Sequence, residues 1–459
     1  MAGPYSSQKE NVSMIKESVK KLTGRRSFLK GAAATLGAAL WADEKLDAAL
    51  QYTKTASKPS ELKITDVRMA AIRGGLIRLD TNHGIYGVGE NRDGASKDYV
   101  LGLKRLVVGE NPCNIDRIFR KIKQFGHHAR QGGGVSGIEM ALWDLAGKAY
   151  NVPVYQMLGG KFRDSIRIYA DTPGSPDPQV FGARMKRRIE QGFTFMKMDI
   201  GVGMVMKTPG TVTYPAGSNI TGNLVHMFTG LEITDKGIAM MADYMAKVRD
   251  VVGWEIPIAT DHFGHIGVNS CIRLGKAFEK FNLAWMEDFI PWQYTELWKK
   301  ITDAIDVPTL TGEDIYLKEP FEVLCREHAV DIIQPDIATA GGILETHKIG
   351  DMAEEYGVPM AMHMAMSPVA CFASVHCAAA TSNFLVLENH SVDQPEWGDI
   401  VDGVEKPIVN KGFIKVPDGP GLGFTLNEEA IKKQLREPGY FEPTPQWDHP
   451  QRVNDRLWS

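Results

Sequence analysis

Between residues 166 and 390 the chain repeats one pattern, a short apolar run that ends on a polar residue. The runs are IRIYAD (166–171), FTFMKMD (193–199), IPIATDH (256–262), LAWMED (283–288), PTLTGED (308–314), DIIQPD (331–336), PMAMHM (359–364) and FLVLENH (384–390). Segments with helical periodicity, such as ELWKKITDAI (296–305) and ETHKIGDMAEEYG (345–357), separate most of them. This alternation predicts parallel strands joined by helical crossovers. Asp261 to Glu287 is 26 residues, Glu287 to Glu313 another 26, then 23 to Asp336, 27 to His363 and 25 to Glu388. A strand, a loop and a helix take about that length. Eight such units predict an α/β fold, a (β/α)8-type barrel whose C-terminal strand ends meet on one face.

The rest of the chain departs from this period. Lys197 to Asp261 spans 64 residues, and the excess falls in 201–233, a stretch rich in Gly, Thr, Pro and Asn. It predicts an insertion after the second strand that overhangs the C-terminal face. Before the barrel, ITDVRMAAIR, GGLIRLDTN and GIYGVGENR read as antiparallel strands, and VSGIEMALWDLAGKAY (135–150) reads as a helix. We expect an N-terminal α+β capping domain over 58–165, the barrel over 166–400, and a C-terminal segment, 401–459, that returns to pack on the cap. Residues 25–36, RRSFLKGAAATL, resemble a twin-arginine export signal. Residues 1–57 are therefore expected to be signal and linker, on a protein that leaves the cytoplasm already folded.

Composition narrows the functional classes. The 459 residues are 43% apolar, enough for a large core. A net charge of −4 argues against non-specific nucleic-acid binding, which needs a basic surface. No apolar run reaches the roughly 18–20 residues of a membrane-spanning helix. Five scattered cysteines, odd in number and without CxxC spacing, argue against a disulfide framework or a zinc–cysteine site.

The polar residues that end the runs carry the candidate chemistry. Asp261, Glu287 and Glu313 end three consecutive strands. Three neighbouring carboxylates repel one another, so one barrel mouth tolerates them around a cation. All-oxygen donors select Mg2+. Asp288 and Asp314 follow two of these acids and, by alternation, are expected to point away. Asp336 and His363 end neighbouring strands, so the carboxylate can hydrogen-bond the imidazole and raise its basicity. A cation on one side and a base on the other suit removal of a proton next to a carboxylate.

These residues resemble the enolase superfamily, in its mandelate racemase and sugar-acid dehydratase group. The likeness covers about 61–430 and rests on GIEMALWDLAGK (137–148), the Asp261/Glu287/Glu313 set, QPD (334–336) with His363, Glu388, and GPGLG (419–423). The resemblance implies Mg2+ on the three acids and a His363–Asp336 base. It also implies that Lys197 neutralises the substrate carboxylate and that Glu388 hydrogen-bonds one of its oxygens. A homo-oligomer acting on a small carboxylate would fit the group.

One departure shapes the mechanism. Where many relatives carry Lys-x-Lys, this chain reads Lys197-Met198-Asp199. Asp199 is a poor second base for a weak carbon acid, which disfavours racemisation and favours elimination of water. The acid for the departing hydroxyl would be His262, His265, or His363 returning its proton. Phe263 holds the position where similar dehydratases place an acid histidine. His128 and Arg130, in a cap loop, are candidate substrate contacts together with His262 and His265. The leading expectation is a sugar-acid dehydratase. The alternatives are a racemase, epimerase or cycloisomerase on the same scaffold, and an exported carbohydrate-binding protein without activity.

Overall fold

The computed structural model describes residues 59–448, apart from 93–94, 127–132, 218–229, 262 and 264–265. All eight expected strands form. In chain order they are Ser165–Ala170, Met196–Asp199, Ile258–Asp261, Trp285–Glu287, Thr309–Thr311, Ile332–Ile333, Met360–Met362 and Phe384–Asn389. Each pairs in parallel with its neighbours, and the eighth pairs with the first through Glu388 and Tyr169, which closes the barrel.

Inside, each strand, or the residue leading into it, gives one side chain to a single layer. The layer consists of Tyr169, Phe195, Ala259, Trp285, Leu310, Ile332, Ala361 and Val386, and it plugs the barrel. Tyr169 meets Trp285 edge-on with ring centroids 5.4 Å apart, and Phe195 lies 5.0 Å from Trp285. Side chains alternate along a strand, so residues two further on face the same interior one level higher. That level holds Asp171, Lys197, Asp261, Glu287, Gln334, His363 and Glu388. The apolar layer thus sets the floor on which the polar residues stand.

The capping domain has an antiparallel sheet of Ile64–Ala70, Leu76–Thr81 and Tyr86–Glu90. The helix Gly133–Tyr150 lies against it. Val135, Ile138, Met140, Ala141, Leu142, Leu145, Ala146 and Ala149 are all buried, which takes in nearly every side of that helix. A helix apolar all round is one packed on both faces, and here sheet and barrel cover it. Its Glu139 accepts from the backbone N–H groups of Ile343 (2.6 Å) and Leu344 (3.0 Å), which open the barrel helix Ile343–Glu355. Gly342 precedes that helix at φ +94°, and a Cβ there would sit 2.0 Å from the Glu139 carboxylate. Only glycine lets the helix seat so closely. Glu90 does the same for the helix Pro368–Ala380. Its carboxylate accepts from the N–H of Ser367 (3.2 Å) and of Ala370 (3.1 Å) and from the Ser367 hydroxyl (2.6 Å).

The tail returns to the cap and also joins the barrel. Leu422 N–H donates to Asp144 at 2.9 Å and Arg436 N–H to the Ala71 carbonyl at 2.7 Å. Phe413–Lys415 adds an antiparallel strand beside the first barrel strand, an attachment that the sequence pattern did not suggest. Within the insertion, Val212–Thr213 pairs with Glu232–Ile233. Cys271, Cys325, Cys371 and Cys377 are buried and free, and Cys113 is free and half-buried. No helix among the described residues is long and apolar enough to cross a membrane. The RRSFLK stretch lies outside the described residues.

Candidate active site

Lys197 stands at the centre of the mouth. Its Nζ lies 2.8 Å from Asp261 Oδ2, 2.8 Å from Glu388 Oε1 and 3.3 Å from Glu287 Oε1, and its side chain is 2% exposed. Burial alone would lower its pKa. The charges of Asp261, Glu287 and Glu388 outweigh burial and hold the proton well above the lysine range. The indole N–H of Trp285, from the layer below, donates to Glu287 Oε2 at 3.0 Å, and the Tyr169 hydroxyl donates to Glu388 Oε2 at 2.9 Å. Floor and site are therefore hydrogen-bonded together.

Across the mouth, His363 Nδ1 lies 2.5 Å from Asp336 Oδ2, the pairing expected from their neighbouring strands. Its Nε2 lies 3.1 Å from Glu313 Oε2 and 3.9 Å from Glu388 Oε2. Sequence reasoning missed Arg92, which is fully buried at the end of the GENR stretch of the cap. Its guanidinium meets Asp336 Oδ2 at 2.6 Å, His363 Nδ1 at 3.2 Å and Glu313 Oε1 at 3.3 Å. Burial would raise the pKa of Asp336, but Arg92 and His363 hold it below the ordinary carboxylate range. Glu313 is likewise lowered, burial being outweighed by His363, Arg92 and Lys197.

The acidic side differs from expectation in two respects. Asp288 was expected to point away. Instead its backbone is left-handed at φ +50°, which breaks the alternation. Asp261, Glu287 and Asp288 each offer a carboxylate oxygen, all within 4.8 Å of one another, a grouping able to hold a metal ion. Thr311 Oγ1 donates to Asp288 Oδ1 at 2.5 Å. Glu313, expected beside Asp261 and Glu287, follows Gly312 (φ +147°) and its carboxylate contacts His363 and Arg92, while the metal-holding grouping takes Asp288 in its place. Asp314 stays at the rim, 44% exposed and 4.0 Å from Arg92.

The donor chemistry fits a hard divalent cation. Burial and the neighbouring Asp261 charge push Glu287 well above the usual carboxylate range, and burial with Glu313 and Asp261 does the same to Asp288. A cation among these oxygens would offset that cost.

Asp199 ends the second strand in register with Asp261 and is half-buried. Phe263 is fully buried, its ring 5.0 Å from Phe289 and 6.3 Å from Phe278. The position that bears an acid histidine in similar dehydratases is thus part of the core. His262, His265, His128 and Arg130 lie outside the described residues. His390 was also missed. It stands two residues beyond Glu388 on the same face, with Nε2 3.0 Å from Glu388 Oε1, and the ENH spacing was its visible signal.

Comparison with known proteins places this arrangement in a family. Residues 45–159 match the mandelate racemase / muconate lactonizing enzyme N-terminal domain, and residues 181–430 match the enolase C-terminal domain-like family. A D-xylonate dehydratase from Haloferax volcanii is 34% identical over 391 residues, which is 82% of this chain and 90% of that protein. A D-galactonate dehydratase from Variovorax paradoxus is 27% identical over 82% of this chain and 94% of its own length. Among solved structures, a mandelate racemase/muconate lactonizing enzyme-like protein from Rubrobacter xylanophilus has a TM-score of 0.74 at 31% identity, covering 83% of this chain and 99% of that one. Two domain matches in the right order, a relative aligned along most of the chain and the same cap-and-barrel architecture lead to one conclusion: this chain belongs to the enolase superfamily, in its mandelate racemase/muconate lactonizing enzyme group.

Proposed function

We propose that the protein is a Mg2+-dependent dehydratase of an aldonate-like sugar acid, producing a 2-keto-3-deoxy acid. One observation carries the reading. The His363–Asp336 pair faces the Asp261 and Glu287 carboxylates across a single mouth, with Lys197 and Glu388 between them. Relatives named as D-xylonate, D-gluconate and D-galactonate dehydratases support the substrate class.

Asp261, Glu287 and Glu313, with Asp288 beside the first two, would hold Mg2+, which when bound supplies positive charge to offset the charge that develops on the substrate carboxylate. The Lys197 ammonium is placed to meet that same carboxylate, and Glu388 to hydrogen-bond one of its oxygens. His363 Nε2 takes the α-proton, while its Nδ1–H donates to Asp336, a carboxylate that Arg92 holds in place. The β-hydroxyl then leaves as water. On the opposite side Asp199 offers only a carboxylate, so the chemistry is one-sided and racemisation is disfavoured.

A library of sugar acids, assayed with Mg2+ in D2O for 2-keto product and for α-proton exchange, tests this reading. His363→Asn should abolish both signals while calorimetric Mg2+ binding persists. Full turnover in that variant would remove His363 as the base. Exchange without water loss in the native protein would favour an epimerase.

We also propose export through the twin-arginine route, on the strength of the RRSFLK stretch. Replacing both arginines (Arg25→Lys, Arg26→Lys) should leave the protein in the cytoplasmic fraction. Undiminished export of that variant would count against the signal.

A further inference from the structure

His390 is the one described histidine besides His363 that contacts the site's acids. Strand alternation brings it to the face of Glu388, one level higher in the mouth. Its Nε2 lies 3.0 Å from Glu388 Oε1 and its Nδ1 lies 3.5 Å from Asp171 Oδ2, just past the first barrel strand. Its ring centroid is 5.7 Å from that of His363. The His390 side chain keeps 25% of its surface exposed, so substrate can reach it. Asp171 Oδ1 is buried with no hydrogen-bond partner among the described residues, leaving an acceptor beside this imidazole for a substrate hydroxyl.

The two histidines have opposite surroundings. Arg92 and Asp336 flank His363, a cation and an anion on one ring nitrogen. Two carboxylates flank His390. Burial and the Lys197 ammonium work against its proton, but Glu388 and Asp171 prevail and raise its pKa above the ordinary histidine value. Paired titratable groups in opposed environments mark an acid and a base. The position two residues beyond Asp261 cannot serve, because Phe263 is buried among other aromatic rings.

We propose that His390 is the acid of the elimination, its imidazolium giving the Nε2 proton to the β-hydroxyl as it departs. This inference rests on the dehydratase reading and assigns a step that the reading leaves open. His363 Nε2 takes the α-proton and the C–H electron pair moves onto the carboxylate. That pair returns to form the Cα–Cβ double bond as the Cβ–O bond breaks. The His390 proton joins the hydroxyl oxygen to make water, and the enol product tautomerises to the 2-keto acid. His363 then loses a proton to solvent and His390 regains one. Rings 5.7 Å apart can serve two adjacent carbons of one substrate.

His390→Gln tests the assignment, because glutamine can still hydrogen-bond Glu388 but carries no transferable proton. In this variant α-proton exchange in D2O should persist while water loss falls by roughly 10²–10⁴-fold. The analogue with fluorine in place of the β-hydroxyl expels fluoride without needing a proton. It should be eliminated at nearly the native rate, which also shows that the site is intact. Equal losses with both leaving groups would reduce His390 to a structural part. Undiminished water loss would place the acid elsewhere, with His363, His262 or His265. If the native protein formed no 2-keto product from any sugar acid, the dehydratase reading would fall, and this inference with it.

Discussion

The guanidinium of Arg92 touches three groups that the barrel supplies: Asp336, His363 and Glu313. Its planar fork spans all three at once, which a lysine ammonium on a flexible stem does not. Arg92→Lys should therefore lower kcat by roughly 10–100-fold, the usual penalty for losing a partner that orients a reacting residue. Arg92→Ala removes the counter-ion of buried Asp336 and should cost about 3–5 kcal/mol in denaturant unfolding. At this scale the sequence was legible where side chains obey alternation. Asp261, Glu287, His363 and Glu388 follow from strand ends at an even spacing, and Lys197 from a strand end despite the long insertion after it. It was not legible where the backbone leaves the strand, as at Asp288 and Gly312 with positive φ. Arg92 was hidden for another reason, because its partners lie more than 200 residues away and no local pattern marks a loop residue as buried.

The elements themselves were nearly all foreseeable. Eight strands and their crossovers follow from period and composition, and the three cap strands from their turn residues. One exception, Phe413–Lys415, is three residues long and owes its pairing to the first barrel strand rather than to its own pattern. What joins the elements is less visible. Glu139 reads as one polar position on an otherwise apolar helix, yet it satisfies the first amides of a barrel helix and accepts from Trp143 Nε1 at 2.6 Å. Burial pushes its pKa up to about 8 against those hydrogen bonds. Glu139→Ala should cost about 1–3 kcal/mol for each buried donor left without an acceptor. Glu139→Gln, which keeps one acceptor oxygen, should cost less. Urea unfolding of both variants measures the difference.

At the scale of the molecule, cap and barrel fall within one compact unit beginning at Pro59. His376 lies at one of their junctions. It is wholly buried in the helix Pro368–Ala380, and its Nδ1 accepts from the backbone N–H of Tyr155 at 3.3 Å. Burial lowers its pKa from 6.5 to about 4. Between those values the unfolded chain takes up a proton that the folded protein does not. The stability that His376 contributes is thus whole above the upper value and is lost as pH falls toward the lower one. The loss should reach about 2 kcal/mol by pH 5. Urea titrations at pH 7 and pH 5 should show it, and His376→Gln should flatten that part of the dependence. The junction through Glu90 has a different consequence. That residue anchors the helix following the strand of His363, and Arg92, two positions along the same stretch, grips the imidazole. On the proposed reading of His363 as the base, seating the cover and positioning that base are one event, so a chain whose cover has not docked should leave bystander acids untouched.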